Sequence, residues 1–392
     1  MDHIEKIETY SAQNYHPLPI VIDHALGVWV TDIHQKRYLD CLSAYSALNH
    51  GHCHPRIIKA LMAQAQKVTL TSRAFHHSIF GEFLEKLCLF SGFSKALPMN
   101  SGVEAVETAI KAARKWGYIR GIKNPRIIVC DQNFHGRTTT VISFSTEPAY
   151  REGFGPFTPG FDIIPFGDEA ALMQAIGPDT VGFLVEPIQG EAGIIVPPKG
   201  FLQKASAICK QHNVLLMVDE IQSGLGRTGK KFAYEHEGIR PDILIIGKAL
   251  GGGVYPVSAM LSTDEVMAVF QPGQHGSTFG GNALASAVAL ESLRVLEDEQ
   301  LVEASHFLGE YTREQLTYLP TRHLEDIRGL GLWFGLEIKK SSGPARLFCE
   351  QLMHLGILAK ETHEQVIRIA PPLVIQKSEI DLLIRALIEV LR

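Results

Sequence analysis

The sequence predicts an α/β fold: a mostly parallel central sheet wrapped by helices, with a smaller α+β domain beside it. Three observations carry that prediction. Val214-Leu215-Leu216-Met217-Val218 and Ile243-Leu244-Ile245-Ile246 are apolar without alternation, as suits strands covered on both faces. From about residue 95, such runs alternate with helical patterns, the order expected when helices connect parallel strands. Beyond the middle of the chain the pattern changes to Gly329-Leu330-Gly331-Leu332-Trp333-Phe334-Gly335-Leu336-Glu337 and a final helix from Ser378.

Along the chain, Asn14-Tyr15-His16-Pro17-Leu18-Pro19 is a turn-rich opening. Gly27-Val28-Trp29-Val30-Thr31-Asp32 reads as a strand of a small antiparallel element. Pro55 suits a first helical turn, and 56–66 carries helical spacing. Ala96-Leu97-Pro98-Met99 leads through Asn100-Ser101-Gly102 into a helix over 103–116. Arg126-Ile127-Ile128-Val129-Cys130-Asp131 and Gly182-Phe183-Leu184-Val185-Glu186 read as strands. A helix over 201–212 precedes the strand ending at Asp219, and the strand before Lys248 follows. A helix over 282–296 leaves this layer. The expected division is an N-terminal segment (1–45) packing with the small domain, a large α/β domain (46–285) and a C-terminal small domain (286–392).

With 392 residues and 43.3 kDa, a folded chain exposes roughly 15,000 Å² against roughly 63,000 Å² extended, so a large core is available. Lys and Arg number 37 against 42 Asp and Glu, a net charge of −5, with no basic run of the kind that binds nucleic acid. The six cysteines are scattered without a CxxC, the usage of a reducing compartment. The opening Met1-Asp2-His3-Ile4-Glu5-Lys6-Ile7-Glu8 is too acidic for a secretory signal or a transit peptide. No apolar stretch reaches the roughly 18 residues of a membrane span. A cytoplasmic enzyme, free of nucleic acid and membrane, is expected.

Asp219 closes one buried run and Lys248 follows the other, 29 residues later. Strands deliver their last residues to the carboxyl edge of the sheet, where ligands of open α/β folds bind. An acid and an amine there suit pyridoxal 5'-phosphate (PLP), which needs a lysine for its aldehyde and an acid beside its pyridine nitrogen. A salt bridge at the strand edge explains the same pair. Asn100-Ser101-Gly102-Val103 puts small residues at a helix start, where free amides and the helix dipole suit a phosphate; an ordinary Ser101 N-cap is the plain alternative.

In Asn133-Phe134-His135-Gly136-Arg137-Thr138, Phe134 suits stacking on a flat ring and Arg137 a carboxylate clamp; taken without their neighbours, a core phenylalanine and a surface arginine are the favoured reading. Glu186-Pro187-Ile188-Gln189-Gly190-Glu191 adds two carboxylates at another strand end. Arg368 interrupts the apolar Ile367-Arg368-Ile369-Ala370 and calls for a carboxylate partner, either Glu191 or a substrate. Gly224-Leu225-Gly226-Arg227-Thr228-Gly229 matches a dinucleotide fingerprint, but the polar residues after it do not suit the helix that motif opens. His50-Gly51-His52-Cys53-His54 lacks a second ligand pair at zinc-finger spacing, so structural histidines and no metal are expected.

Taken together, these residues resemble the class III (ω-amino acid) aminotransferases of the PLP-dependent fold-type I superfamily. The likeness runs nearly end to end, with its longest signature at Asp219-Glu220-Ile221-Gln222-Ser223-Gly224-Leu225-Gly226-Arg227-Thr228-Gly229 followed by Lys248. Ser43-Ala44-Tyr45-Ser46-Ala47, Leu70-Thr71-Ser72-Arg73-Ala74-Phe75 and His275-Gly276-Ser277-Thr278-Phe279-Gly280-Gly281-Asn282 are similar to the members that act on ornithine. The resemblance implies a fold-type I chain whose small domain draws on both termini. It implies that Lys248 carries PLP covalently, Asp219 faces the pyridine nitrogen, Gln222 reaches the ring hydroxyl, and Phe134 and Ile221 flank the ring. The Ser101 turn, with the Gly102 and Val103 amides, would hold the phosphate, joined by Ser277 and Thr278 of a neighbouring subunit in a homodimer.

Tyr15 and Arg137 resemble holders of ornithine's α-carboxylate, and Tyr45 the contact to its α-amine. Arg368 would bind the α-carboxylate of glutamate or 2-oxoglutarate, with Glu191 as its removable partner. The implied reaction moves the δ-amino group of L-ornithine to 2-oxoglutarate. His135 departs from the aromatic usual in ornithine members, and Phe-His-Gly-Arg-Thr is also the acetylornithine form. Acetylornithine and 4-aminobutyrate transamination are therefore the neighbouring readings, although 4-aminobutyrate lacks the α-amine that Tyr45 suits. A nicotinamide dehydrogenase and a non-catalytic binding protein are the readings from other classes.

Overall fold

The computed structural model describes residues 2–392. Seven strands form the central sheet in the order Lys95–Met99, Ser258–Ser262, Ile243–Ile246, Leu215–Asp219, Thr180–Val185, Arg126–Cys130, Phe161–Ile164. Ser258–Ser262 runs antiparallel to both of its neighbours, and every other pairing is parallel. Pro98, which has no N–H for a ladder, lies on the edge strand, where that lack is tolerated.

The unalternated apolar runs have a direct cause. Leu216, Val218, Leu244 and Ile246 point into one core, and Leu215, Met217, Ile243 and Ile245 point into a second on the opposite face. The helix Gly102–Ile119 covers the second core through Ala105, Val106, Ala109 and Ile110. Phe201–Gln211 and Ala283–Asp298 cover the first. Both faces are dry, so neither face of a central strand needs polar residues.

Two smaller sheets flank this layer. Leu324–Leu330, Trp333–Ile338, Val366–Ile369 and Lys360–Thr362 form an antiparallel sheet in that spatial order, and Arg368 lies opposite Gly335 within it. Near the N-terminus, Ile22–Leu26, Trp29–Asp32 and Arg37–Asp40 pair antiparallel. The C-terminal strand Ile357–Leu358 then pairs parallel with Arg37–Asp40, so chain from both ends builds one sheet.

Several elements differ from the sequence-based expectation. A helix, His3–Tyr10, forms where none is expected, opened by an Asp2/Glu5 capping box. The helix expected over 103–116 spans Gly102–Ile119. Lys248 does not end a strand: Ile243–Ile246 stops first, and Lys248 opens the short 3-10 helix Lys248–Gly251 with φ 44. Only the 3-10 helix Ala233–Glu237 follows the Gly224-to-Gly229 stretch, so no helix N-terminus is aimed at a dinucleotide there. His52 meets Asp40 at 2.8 Å, His54 meets Glu299 at 3.1 Å, and His50 meets the Ser292 carbonyl at 3.0 Å. Among the described residues no helix is long and apolar enough to cross a membrane.

Candidate active site

Asp219 and Lys248 meet at the carboxyl edge of the sheet because Asp219 stands beside Ile245 in the ladder. Both line a cavity of about 250 Å³ together with Gly102, Val103, Phe134, Ile221 and Gln222. Asp219 is buried; its Oδ1 accepts from the Ile221 amide at 3.0 Å, and its Oδ2 meets His135 Nδ1 at 2.7 Å. Burial alone would push the His135 imidazole down. The bond and charge of Asp219, with the charge of Glu186, hold it above its ordinary value.

Lys248 Nζ has no hydrogen-bond partner among the described residues. Burial lowers its pKa, as does the Arg368 cation, while Glu191, Asp219 and Glu186 oppose the shift without cancelling it. An amine with a depressed pKa and no partner is a ready nucleophile and base.

Glu186 borders the same cavity and accepts from the Phe134 amide at 3.0 Å and the Gly190 amide at 3.4 Å. Burial drives its carboxyl up to about 7, with Asp219 adding to the rise and His135 opposing it. It therefore sits near half-protonation at neutral pH.

The helix Gly102–Ile119 starts beside Lys248. Ser101 Oγ accepts from the Glu104 amide at 3.4 Å, the Glu104 carboxylate returns to the Ser101 amide at 2.7 Å, and the Ala105 amide bonds the Ser101 carbonyl at 3.3 Å. Helix geometry then leaves the Gly102 and Val103 amides as the free donors of the first turn, at the positive end of the dipole. Gly136, at φ +123, lets the Phe134 loop rest on that start; a Cβ there would stand 2.5 Å from Val103 Cγ2. The cavity thus holds two anion-seeking amides, an acid oriented by two partners and an unpartnered lysine. That set fits PLP's phosphate, pyridine nitrogen and aldehyde.

A second cavity of about 200 Å³ shares Phe134 with the first and is lined by Glu147, Tyr150, Glu191 and His363. Arg368, almost wholly buried, donates Nη1 and Nη2 to the two oxygens of Glu191 at 2.9 and 3.0 Å. Burial pushes the Glu191 carboxyl up, but the charge and bonds of Arg368 prevail and lower it to about 2. Gln222 Nε2 also donates to Glu191 at 3.2 Å and to the Tyr45 carbonyl at 3.4 Å. Gly190 makes this possible, because a Cβ there would lie 1.6 Å from Gln222 Oε1.

The Tyr45 ring stands 5.0 Å from the Arg368 cation. Tyr45 belongs to a short turn, Ser43–Ser46, with positive φ at all four positions (45, 47, 59 and 67). Left-handed backbone costs roughly 1–2 kcal/mol for each such residue, so the turn must be braced. Asp40 Oδ1 accepts from the Leu42 and Ser43 amides at 2.8 and 2.9 Å, and Ser43 Oγ donates to the Ala370 carbonyl at 2.6 Å.

The remaining residues singled out by the sequence lie outside the first cavity. Tyr15 is exposed, within electrostatic reach of Tyr45. Arg137 is exposed and rests its guanidinium 4.4 Å from the Tyr150 ring. The Ser101 hydroxyl is engaged in its cap. Ser277 Oγ accepts from Asn100 Nδ2 and the Gly280 amide, each at 2.9 Å, and Thr278 is exposed. The His135–Asp219 contact, the left-handed turn and the burial of Arg227 escape a reading of the sequence; only the lone arginine among the glycines of 224–229 hints at any of them.

Residues 10–391 match the family model Aminotransferase class-III. The chain is a class III aminotransferase. As a member of that family it is a PLP-dependent transaminase acting on small molecules. This class III aminotransferase is 55% identical over 382 residues to the ornithine aminotransferase of Exiguobacterium sp., covering 97% of this chain and 95% of the relative. The crystal structure of ornithine aminotransferase from Toxoplasma gondii matches it with a TM-score of 0.97 and 42% identity, over 99% of this chain and 94% of that one. The acetylornithine aminotransferase from Elizabethkingia anophelis matches with a TM-score of 0.89 and 46% identity, over 99% and 97%.

Proposed function

We propose that this enzyme moves the δ-amino group of L-ornithine to 2-oxoglutarate, producing glutamate 5-semialdehyde and glutamate in two half-reactions. The observation that carries the reading is the bidentate Arg368–Glu191 pair beside the Lys248 cavity. A terminal-amine donor must bring its amine to Lys248 while its α-carboxylate stays remote. A 2-oxo acid must bring its α-carboxylate close. An arginine masked by a glutamate serves both, because it is neutralised for the first substrate and released for the second. The ornithine aminotransferases at 53–56% identity support the same substrate.

Bound PLP supplies the electron sink for the carbon that loses its proton. Lys248 Nζ would hold the cofactor through its aldehyde carbon and, when free, would take that proton from the δ-carbon as a base. Asp219, oriented by His135 and the Ile221 amide, holds a proton on the pyridine nitrogen. The Gly102 and Val103 amides at the Ser101 cap bind the phosphate, Phe134 and Ile221 exclude water from the ring faces, and Gln222 meets the ring hydroxyl. The α-end of ornithine extends away from Lys248, its carboxylate toward Tyr15 and Arg137 and its α-amine toward Tyr45.

The proposal includes a homodimer in which Ser277 and Thr278 complete the neighbouring phosphate site. Exposed Tyr15, Phe75 and Phe279 support it, as does an accessible surface of 17,818 Å² against the roughly 15,000 Å² typical of a compact monomer of this mass. A cytoplasmic location and the division into 1–45, 46–285 and 286–392 belong to the same reading.

N-Acetylornithine is the second reading, favoured by His135 and by the 46% identity to an acetylornithine enzyme. Single-turnover spectra of the PLP form with L-ornithine, N-acetylornithine and 4-aminobutyrate decide between them. L-Ornithine should convert the cofactor absorbance fastest; faster conversion by either rival overturns the substrate assignment. Borohydride reduction and peptide mapping should place a pyridoxyl group on Lys248, and an adduct elsewhere overturns the lysine assignment.

A further inference from the structure

Arg227 is fully buried, yet none of its bonds reaches a carboxylate. Its Nη1 donates to the Leu332 carbonyl at 2.9 Å and the Pro371 carbonyl at 2.6 Å. Its Nη2 donates to Ser43 Oγ at 3.1 Å and Asn49 Oδ1 at 2.6 Å, while its Nε is buried without a partner. All four acceptors are neutral, and burial lowers the guanidinium to about 9. A cation in so dry a place is costly, and only a rigid planar fork serves four acceptors in two directions at once.

Those directions are specific. Ser43 and Asn49 bracket the left-handed turn that carries Tyr45, and Pro371 lies three residues beyond Arg368. Ser43 Oγ hands the contact on to the Ala370 carbonyl at 2.6 Å. The Ala370 amide bonds the Cys41 carbonyl at 2.7 Å, and the Leu373 amide bonds the Asn49 carbonyl at 2.8 Å. Arg227 thus sits at the centre of the seam between the two stretches that present Tyr45 and Arg368. The two stretches are not equally secure. Arg368 is held by ladder pairing on both sides, opposite Gly335 and Lys360. The Tyr45 turn has no ladder and a backbone that strains to unwind.

We propose that Arg227 is a positioning residue for amine-substrate selection: it pins the strained turn bearing Tyr45 to the chain beyond Arg368, so that phenol and guanidinium keep one spacing. This rests on the reading that Tyr45 and Arg368 contact substrate. Loosening the pin displaces Tyr45 and leaves the laddered Arg368 in place. The ornithine half-reaction therefore suffers more than the glutamate half-reaction.

The test uses the PLP-loaded enzyme, its Arg227→Lys and Ser43→Ala variants, and Ser43→Ala combined with Tyr45→Phe. Single-turnover saturation curves are taken with L-ornithine and with glutamate, alongside cofactor absorbance and thermal melting. Each single variant should weaken ornithine saturation about tenfold, as for one misplaced substrate hydrogen bond, and change glutamate less than about threefold. Ser43→Ala should add no further loss to Tyr45→Phe, since both act on one phenol. Equal losses in both half-reactions, or losses that multiply in the double variant, overturn the inference. Should Arg227→Lys not fold, Ser43→Ala, which removes one bridging hydroxyl, decides alone. A wild-type enzyme inert toward ornithine overturns the substrate reading and this inference with it, whereas a uniform loss in the variants overturns the inference only.

Discussion

Glu186, buried, and Glu191, half-buried, stand on one loop and lie at opposite ends of the carboxyl range. Glu186 borders the sheet edge of Lys248 and Asp219, where burial and a neighbouring anion push it up to about 7. Glu191 faces the seam, where two bonds from Arg368 take it down to about 2. The edge is built from neighbouring strand ends on a hydrogen-bonded ladder, so its groups are fixed and their charges poorly compensated. The seam is joined by side chains across 105 to 184 residues of sequence; there the Arg368–Glu191 charges are matched, while Arg227 is met by neutral acceptors. Fixed, undercompensated groups suit chemistry common to both half-reactions. Matched pairs that can part suit a choice between substrates.

The largest way to break this contrast is Lys248→Ala. It should lower both half-reactions by at least about 10³-fold and to a similar degree, because it removes nucleophile and base together. Stopped-flow absorbance with L-ornithine and with glutamate checks this; a loss confined to one substrate would move Lys248 out of the shared machinery.

Next in size is the pH dependence of the edge. The folded state raises the Glu186 pKa from the ordinary carboxyl range to about 7, so it favours the protonated form. Its contribution is complete below about pH 4.5 and is lost as pH rises through about 7, a change of about 3 kcal/mol. In the cofactor-free protein, Glu186→Gln should remove that downward slope between pH 5 and pH 8 in urea unfolding. An unchanged slope refutes the assignment. Glu191 has the opposite sign: its contribution is present above about pH 4.5 and declines as pH falls toward about 2.

At the seam, Glu191→Ala unmasks Arg368. The ratio of the glutamate to the ornithine half-reaction should rise about 10- to 100-fold, the scale of a broken, part-buried ion pair partly repaid by substrate. If both half-reactions change by one common factor, the masking idea fails. The smallest effect is Ser101→Ala, which deletes a helix cap and should cost about 1 kcal/mol in unfolding free energy while the free Gly102 and Val103 amides still bind phosphate. A melting point unchanged within error would mean that the cap is not formed.

The edge is legible in the sequence because its signals are local. Unbroken aliphatic runs mark doubly covered strands; Asp219 closes one such run, and Lys248 follows the other after Gly247. Small residues before a helical pattern mark Gly102 and Val103. Arg368 announces a partner by interrupting an apolar strand, although residue types leave Glu191 and a substrate as equal candidates. His135 cannot be matched by pattern to Asp219, 84 residues away, because no periodicity links them. Along the chain Arg227 is only part of a motif that mimics a dinucleotide loop; its four neutral acceptors come from segments that share no pattern with it.

By itself the sequence determined the α/β class, the doubly covered strands at the centre of the sheet and the residues at the sheet edge, since burial on both faces leaves its mark residue by residue. Only the tertiary structure decided which charges are matched. The depressed Glu191, the raised Glu186 and the pinned turn at Tyr45 all arise from the distance and desolvation of groups far apart along the chain. Those quantities do not exist until the chain closes on itself.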